Sequence, residues 1–186
     1  MIPSAGNLSP DGYKIDELTV IDARPEYCRM HLDVMNTVSF EGKYLTTSNG
    51  FTYEEMVSFY EFCEREGFPQ FYVLDENGKN VGWCDIVARE GQKRTAGYIG
   101  LGLLPEYRDR GVGRRLMLYA MKRARDCGFT EIRLDCRLTN KRAIHLYRKL
   151  GFRTTGIRPH GLYVNGHFCA VICMKLKLKS YDFECV

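Results

Sequence analysis

The stretch "TAGYIGLGLLPEYRDRGVGRRLMLYAMKRARDCG" (95–128) limits the fold more than any other part of the chain. It begins as an apolar run rich in glycine and passes through an arginine-rich turn. It then becomes a segment that places Val112, Leu116, Ala120 and Ala124 on one stripe, ending at Cys127-Gly128. That is strand, turn and helix in immediate succession. Glycine costs a helix interior about 1 kcal/mol relative to alanine, so Gly111 and Gly113 at a helix start need a reason. One is a tight turn whose arginines are merely solvated. The other is an anion lying against the backbone. A helix start leaves several N–H groups without partners at the positive end of the dipole, which makes the turn a ready phosphate cradle. Arg110, Arg114 and Arg115 stand beside it as donors of charge-assisted hydrogen bonds. In the strand before it, Gly97, Gly100 and Gly102 mark a bulge or a close approach by a ligand.

The rest of the chain supplies the partners for this unit. "ELTVIDA" (17–23) reads as a short strand and "RPEYCRMHLDVMN" (24–36) as a helix, followed by a loop at "LTTSNG" (45–50). Thr52 and Glu55 form a capping box, with Phe51 and Met56 at staple positions, and the helix they open reaches about Gly67. "QFYVLDENGKNVGWCDIV" reads as a hairpin turning at "DENGK". "TEIRLDCRL" (130–138) is a strand, "NKRAIHLYRKLG" (140–151) a short helix capped by Gly151, and two strands follow near 152–159 and 167–177. The order β-α-α-β-β-β-α-β-α-β-β predicts a mixed α/β domain with helices covering a central sheet. Residues 1–15 read as an arm, 16–178 as one domain and 179–186 as a tail.

Composition narrows the class only a little. At 186 residues, 45% hydrophobic and 27% charged, the chain suits one globular domain with a substantial core. A net charge of +4 fits an anionic small molecule as well as nucleic acid. The eight cysteines form no C-x-x-C pair and no paired Cys/His spacing, which favours reduced thiols over zinc or disulfides. "MIPSAGNLSPDGYK" lacks the basic start and apolar core of a signal peptide, and no apolar run reaches membrane-spanning length. The expectation is a cytoplasmic protein without a membrane partner.

Neither G-x-x-x-x-G-K-[ST] nor G-x-G-x-x-G describes the turn, because Leu116 stands where the latter needs its third glycine. Arg108-x-x-Gly111-x-Gly113 instead resembles the R/Q-x-x-G-x-G/A acyl-CoA signature of the GNAT family of N-acyltransferases. Downstream, "NKRAIHLYRKLGF" is similar to that family's N-x-x-A-x-x-x-Y-x-x-x-G-F pattern at Asn140, Ala143, Tyr147, Gly151 and Phe152. The likeness is sharp over residues 95–160 and architectural before them.

The resemblance implies the GNAT fold: a mixed α+β arrangement around a mostly antiparallel sheet, splayed between its fourth and fifth strands and flanked by helices. It implies acetyl-CoA as co-substrate, no metal, and transfer of the acetyl group to a primary amine. Leu101, Gly102 and Leu103 would then hold the pantetheine arm through their backbone, one N–H polarising the thioester carbonyl. Arg108, Asp109, Arg110, Gly111, Val112, Gly113 and Arg114 would bind the pyrophosphate end. Asn140 would touch the cofactor or simply cap its helix. Tyr147 matches the tyrosine that protonates the departing thiolate.

The base stays open. Asp135 is one candidate, its other role being a surface ion pair with Arg133 or Arg137. The family's glutamate early in the fourth strand falls near Gly97 and is missing, which also admits a relay through water. Tyr98 and the histidines carry no assigned role. No Cys/His nucleophile arrangement is present, so direct attack in a ternary complex is expected.

Two other readings stand beside this one. A GNAT-fold acyl-CoA sensor without turnover would tolerate the missing glutamate. An RNA-binding protein would use the net positive charge, but the arginines gather at the turn rather than along an aromatic-studded face. The acceptor amine, the acyl chain and the oligomeric state, a homodimer included, are not legible. Residues near 27–60 are expected to wall the acceptor site.

Overall fold

The computed structural model describes residues 12–45, 50–89 and 95–183. Eight strands are seen among them: Tyr13–Ile15 (β1), Leu18–Asp22 (β2), Gln70–Leu74 (β3), Asn80–Ala88 (β4), Ala96–Leu103 (β5), Glu131–Arg137 (β6), Arg153–Val164 (β7) and His167–Lys177 (β8). Four helices accompany them: Cys28–Phe40 (α1), Tyr53–Glu66 (α2), Val112–Asp126 (α3) and Lys141–Lys149 (α4). The strands form one sheet in the order β1-β2-β3-β4-β5-β6-β8-β7. Every neighbouring pair is antiparallel except β5–β6.

Local chemistry sets the element ends. The Thr52 hydroxyl accepts from the Glu55 N–H at 3.2 Å while the Glu55 carboxylate accepts from the Thr52 N–H at 2.8 Å, so the capping box is complete. α2 stops at Gly67, whose left-handed φ of 68° suits glycine. In the β3–β4 turn the Asp75 carboxylate accepts from the Asn77 and Lys79 N–H groups, both at 2.9 Å. The α3 stripe of Val112, Leu116, Ala120 and Ala124 is buried as its spacing predicts.

The ends of the domain differ from expectation. Tyr13–Ile15, assigned to the arm, pairs with β2 as an edge strand, and the Tyr13 ring stacks on Tyr119 at 4.5 Å. This added strand moves the expected splay to β5 and β6. In the expected tail, Tyr181 and Phe183 pack against the core. The remaining residues of the arm, 1–11, and of the tail, 184–186, lie outside the described residues, as does 46–49 of the predicted loop.

β5 pairs with β6 only at Ala96–Glu131, Gly97–Ile132 and Tyr98–Arg133. From Ile99 to Leu103 the edge of β5 facing β6 has no strand partner, and the sheet opens there. The glycines of β5 have another cause than the expected bulge or ligand. Residues paired across antiparallel strands share a face, so Trp83 lies over Gly102 and Asp85 over Gly100. A Cβ at Gly102 would meet the Trp83 ring at 2.0 Å, and one at Gly100 would meet an Asp85 carboxylate oxygen at 2.8 Å. Two side chains of β4 are thus laid across the glycines of β5. Trp83 in turn carries α1, through the His31 ring at 5.5 Å.

Candidate active site

A cleft of about 770 Å³ occupies the opening between β5 and β6. Leu101, Gly102 and Leu103 line it along β5, with Gly113, Asn140 and Tyr147 on the α3–α4 side. Val38, Tyr44, Phe59 and Asp85 line the α1–α2 side. The splay therefore joins two half-sites. One contains the glycine turn, and the other faces the first two helices.

The turn keeps its backbone accessible. Gly111 is the N-cap of α3 with φ 77°, and, its chain neighbours aside, no atom of the described residues lies within 4 Å of the place its Cβ would occupy. At Gly113 the nearest atom to such a Cβ is a Leu103 methyl at 3.8 Å. Among the described residues, no side chain fills the hollow over this helix start. Asp109 is also left-handed, with φ 61°, and its carboxylate holds Arg142 at 2.6 Å. Arg114 lines the cleft, whereas Arg110 is exposed beside it. The Val112 side chain is buried in the core, leaving only its backbone for a ligand.

Two arginines of this segment are held in ion pairs within the protein: Arg108, which also lines the cleft, and Arg115. Arg108 was expected to contact the cofactor. Its guanidinium forms an ion pair with Glu41, donates to the Leu103 carbonyl at 2.8 Å and lies 4.9 Å from the Tyr44 ring. It ties the end of β5 to the loop after α1. Arg115 is paired with Asp16.

On α4, the Asn140 side chain accepts from the Ala143 N–H at 3.2 Å and caps the helix while also lining the cleft. Tyr147 is half-buried on the cleft wall beside Phe152, at 5.9 Å between rings. Burial, then the nearby Cys136 and Cys84 thiols, pushes its phenol pKa above the ordinary value. The proton is therefore retained at neutral pH.

Asp135 also lines the cleft, but it is not a free carboxylate. Arg158 donates to it at 2.9 Å and Arg89 at 3.3 Å. Burial would raise its pKa, but the Cys173 thiol and the two guanidiniums outweigh this and hold the pKa below the ordinary value. The expected partners, Arg133 and Arg137, are engaged elsewhere. Arg133 bonds Glu131 at 2.6 Å, and Arg137 donates to the Gly42 and Leu45 carbonyls.

A model of the acetyltransferase (GNAT) family matches residues 38–152. The chain belongs to the GNAT family. It is 31% identical over 118 residues to the spermidine N(1)-acetyltransferase of Escherichia coli, a match that spans 61% of this chain and 61% of that enzyme. Among solved structures, a GNAT acetyltransferase from Streptococcus pneumoniae superposes with a TM-score of 0.78 at 26% identity, covering 87% of this chain and 99% of that one. The yncA protein of Salmonella typhimurium, solved with its cofactor acetyl-CoA, shares the fold with a TM-score of 0.81 at 20% identity, covering 89% and 96%.

Within this GNAT cleft the sequence reading missed Asp85. It is 8% exposed, lines the cleft and rests on Gly100 of β5. Burial pushes its pKa up to about 7, against the Gly100 backbone and the Trp83 side chain, which favour the charged form. The available signal was a single carboxylate inside the apolar strand "NVGWCDIVA". Such a residue is rarely buried without a task. Gly97, where the family's glutamate would fall, faces the other side of the sheet, against Ile86 and Phe129.

Proposed function

We propose that the chain transfers the acetyl group of acetyl-CoA to a primary amine by direct attack in a ternary complex. The observation that carries this reading is the parting of β5 from β6 directly in front of the open glycine turn. A strand edge without a partner offers backbone N–H and C=O groups to an extended amide-bearing arm. The helix start beyond it accepts phosphates. The acetyl-CoA of the Salmonella protein and the amine substrate named for the Escherichia coli enzyme support the same class of reaction.

In this reading acetyl-CoA supplies an activated thioester, and the protein places it and manages the protons. Gly111, Val112 and Gly113 receive the pyrophosphate through backbone N–H groups, with Arg114 adding charge. Leu101, Gly102 and Leu103 receive the pantetheine arm, and one of their N–H groups faces the thioester oxygen as charge develops there. An amine is protonated near pH 7 and must be neutral to attack. Asp85 is suited to take that proton, since its pKa lies near 7. Asp135, held by two arginines, is not. As the N–C bond forms and the C–S bond breaks, Tyr147 donates its proton to the leaving thiolate and is reprotonated from the nitrogen. Of the two protons the ammonium loses, one ends on the thiol of CoA and the other leaves through Asp85.

The test is CoA release from acetyl-CoA in the presence of amines, with the product identified by mass spectrometry. Amine-dependent release with an acetylated product is expected. Binding of acetyl-CoA with no release across polyamines, amino acids and peptides would return the protein to a sensor role.

A further inference from the structure

The acceptor half of the cleft is asymmetric in charge, and that asymmetry selects a substrate. Asp85 stands level with Gly100 on one side. Carrying the parallel register two residues past Tyr98–Arg133 brings Asp135 level with Gly100 on the other side, across the opening. Because the strands have parted at this level, the two aspartates stand farther apart at Cα than the roughly 10 Å of two paired strand spacings. Both line the cleft, in opposite surroundings. No cation neighbours Asp85 among the described residues, whereas Asp135 is shared by Arg89 and Arg158.

The guanidinium of Arg89 lies over the Tyr98 ring, 3.5 Å from its centroid, which brings it back from the end of β4 to Asp135. Arg158 comes from β7 and meets the same carboxylate oxygen through one Nη. Its other N–H donors have no partner among the described residues. Each of these guanidiniums is about half exposed, so neither is sealed into the fold. A second hollow of about 280 Å³ adjoins the cleft, sharing Tyr98, Leu134 and Asp135, and its rim carries Arg133, Arg158 and Lys175. Arg133 and Lys175 share Glu131 at the far rim of that hollow, outside the cleft lining. Arg89 and Arg158 share one carboxylate between them and keep a net positive charge.

We propose that the acceptor is an α-amino acid, its amine turned to Asp85 and its carboxylate held by Arg89 and Arg158. This rests on the acyl-transfer reading above. A planar guanidinium fork matches a carboxylate in two bonds, and two forks aimed from one anchor form a receptor for such a group. An α-amino acid carries its ammonium and carboxylate on one carbon, so hydrogen bonds at both ends bring its two protein partners within about 9 Å of each other. Asp135 is a positioning residue: it aims the arginines and touches no reacting atom. A polyamine suits this wall poorly, since its second cation would face Arg89 and Arg158. Among the described residues of the acceptor half, Asp85 is the sole carboxylate without a cation partner.

The experiment measures acetyl-CoA-dependent rates with a set of L-α-amino acids, their α-carboxamides, and spermidine. For at least one amino acid, kcat/KM should exceed that of its carboxamide and of spermidine by about tenfold or more, the range expected for hydrogen bonds to a charged group. Arg158→Gln, and separately Arg89→Gln, should lower the acid toward the carboxamide. The carboxamide's kcat/KM and the acetyl-CoA affinity should stay within about threefold. Equal or better use of the carboxamide or of spermidine overturns the proposal, as does a preference for the acid that survives both substitutions. Acetyl-CoA binding without turnover of any amino acid also overturns it. Failure to bind acetyl-CoA at all would instead overturn the acyl-transfer reading.

Discussion

Replacing Asp85 with asparagine separates two consequences of burying one carboxyl group. Its pKa moves from 3.8 to about 7 because the buried site disfavours the charge. At about 1.4 kcal/mol per pKa unit, that gap corresponds to about 4 kcal/mol. The folded-state pKa is raised, so this stability is fully present below about pH 4 and is lost as pH rises to about 7. Between those values the native protein holds a proton that the unfolded chain has released. Asparagine has no such proton. Urea unfolding of both proteins at a series of pH values should therefore show wild type losing up to about 4 kcal/mol relative to Asp85→Asn between pH 4 and 8. Groups common to both proteins cancel in the difference. The same substitution should lower kcat/KM by about tenfold or more and remove a rise with midpoint near pH 7. A stability difference that stays flat across this range would mean that Asp85 ionises like an exposed carboxylate, and its assignment as proton acceptor would fall with it.

Five further outcomes are expected. Tyr147→Phe keeps the ring's packing and removes the donor, so kcat should drop by about tenfold or more with acetyl-CoA affinity unchanged by calorimetry. A variant retaining most of its kcat with chemistry rate-limiting would return Tyr147 to a packing role. Gly113→Val should weaken acetyl-CoA far more than it lowers the melting temperature. Gly111→Val should lower both, because φ there is 77°. Gly102→Ala should cost about 1–3 kcal/mol of stability by overpacking against Trp83, and unchanged urea stability would show that this ring yields freely. Acetyl-CoA should raise the melting temperature with concentration, while adenosine without phosphates should do little.

Most of the element order was legible because its punctuation is local. The Thr52–Glu55 box, the turn at Asp75–Gly78 and the stripe on α3 each follow from neighbours within a few residues. Tyr13–Ile15 was not legible, since a three-residue strand exists only through its pairing with β2. The α3–α4 side of the cleft was readable from the motif at Arg108–Gly113 and from Asn140–Phe152. The α1–α2 side depends on which side chains of β4 cross onto β5, and on a register that brings Asp85, Gly100 and Asp135 level. Arg108 has an internal partner that the motif's spacing could not show. Its spacing matched the signature and it lines the cleft, while its guanidinium also pairs with Glu41, sixty-seven residues away in sequence. The glycines of β5 were expected to mark a bulge or a close approach by a ligand. What approaches Gly100 and Gly102 is the protein itself.

The central claim is direct acetyl transfer across the opening between β5 and β6, and rapid mixing with radiolabelled acetyl-CoA tests it most directly. Without an amine, the protein should bind the label reversibly, release no CoA and show no acetyl group on its intact mass. With an accepted amine, label should pass to the amine at the rate at which CoA appears. A stoichiometric burst of CoA before any amine is added, with the acetyl group left on the chain, would contradict this account.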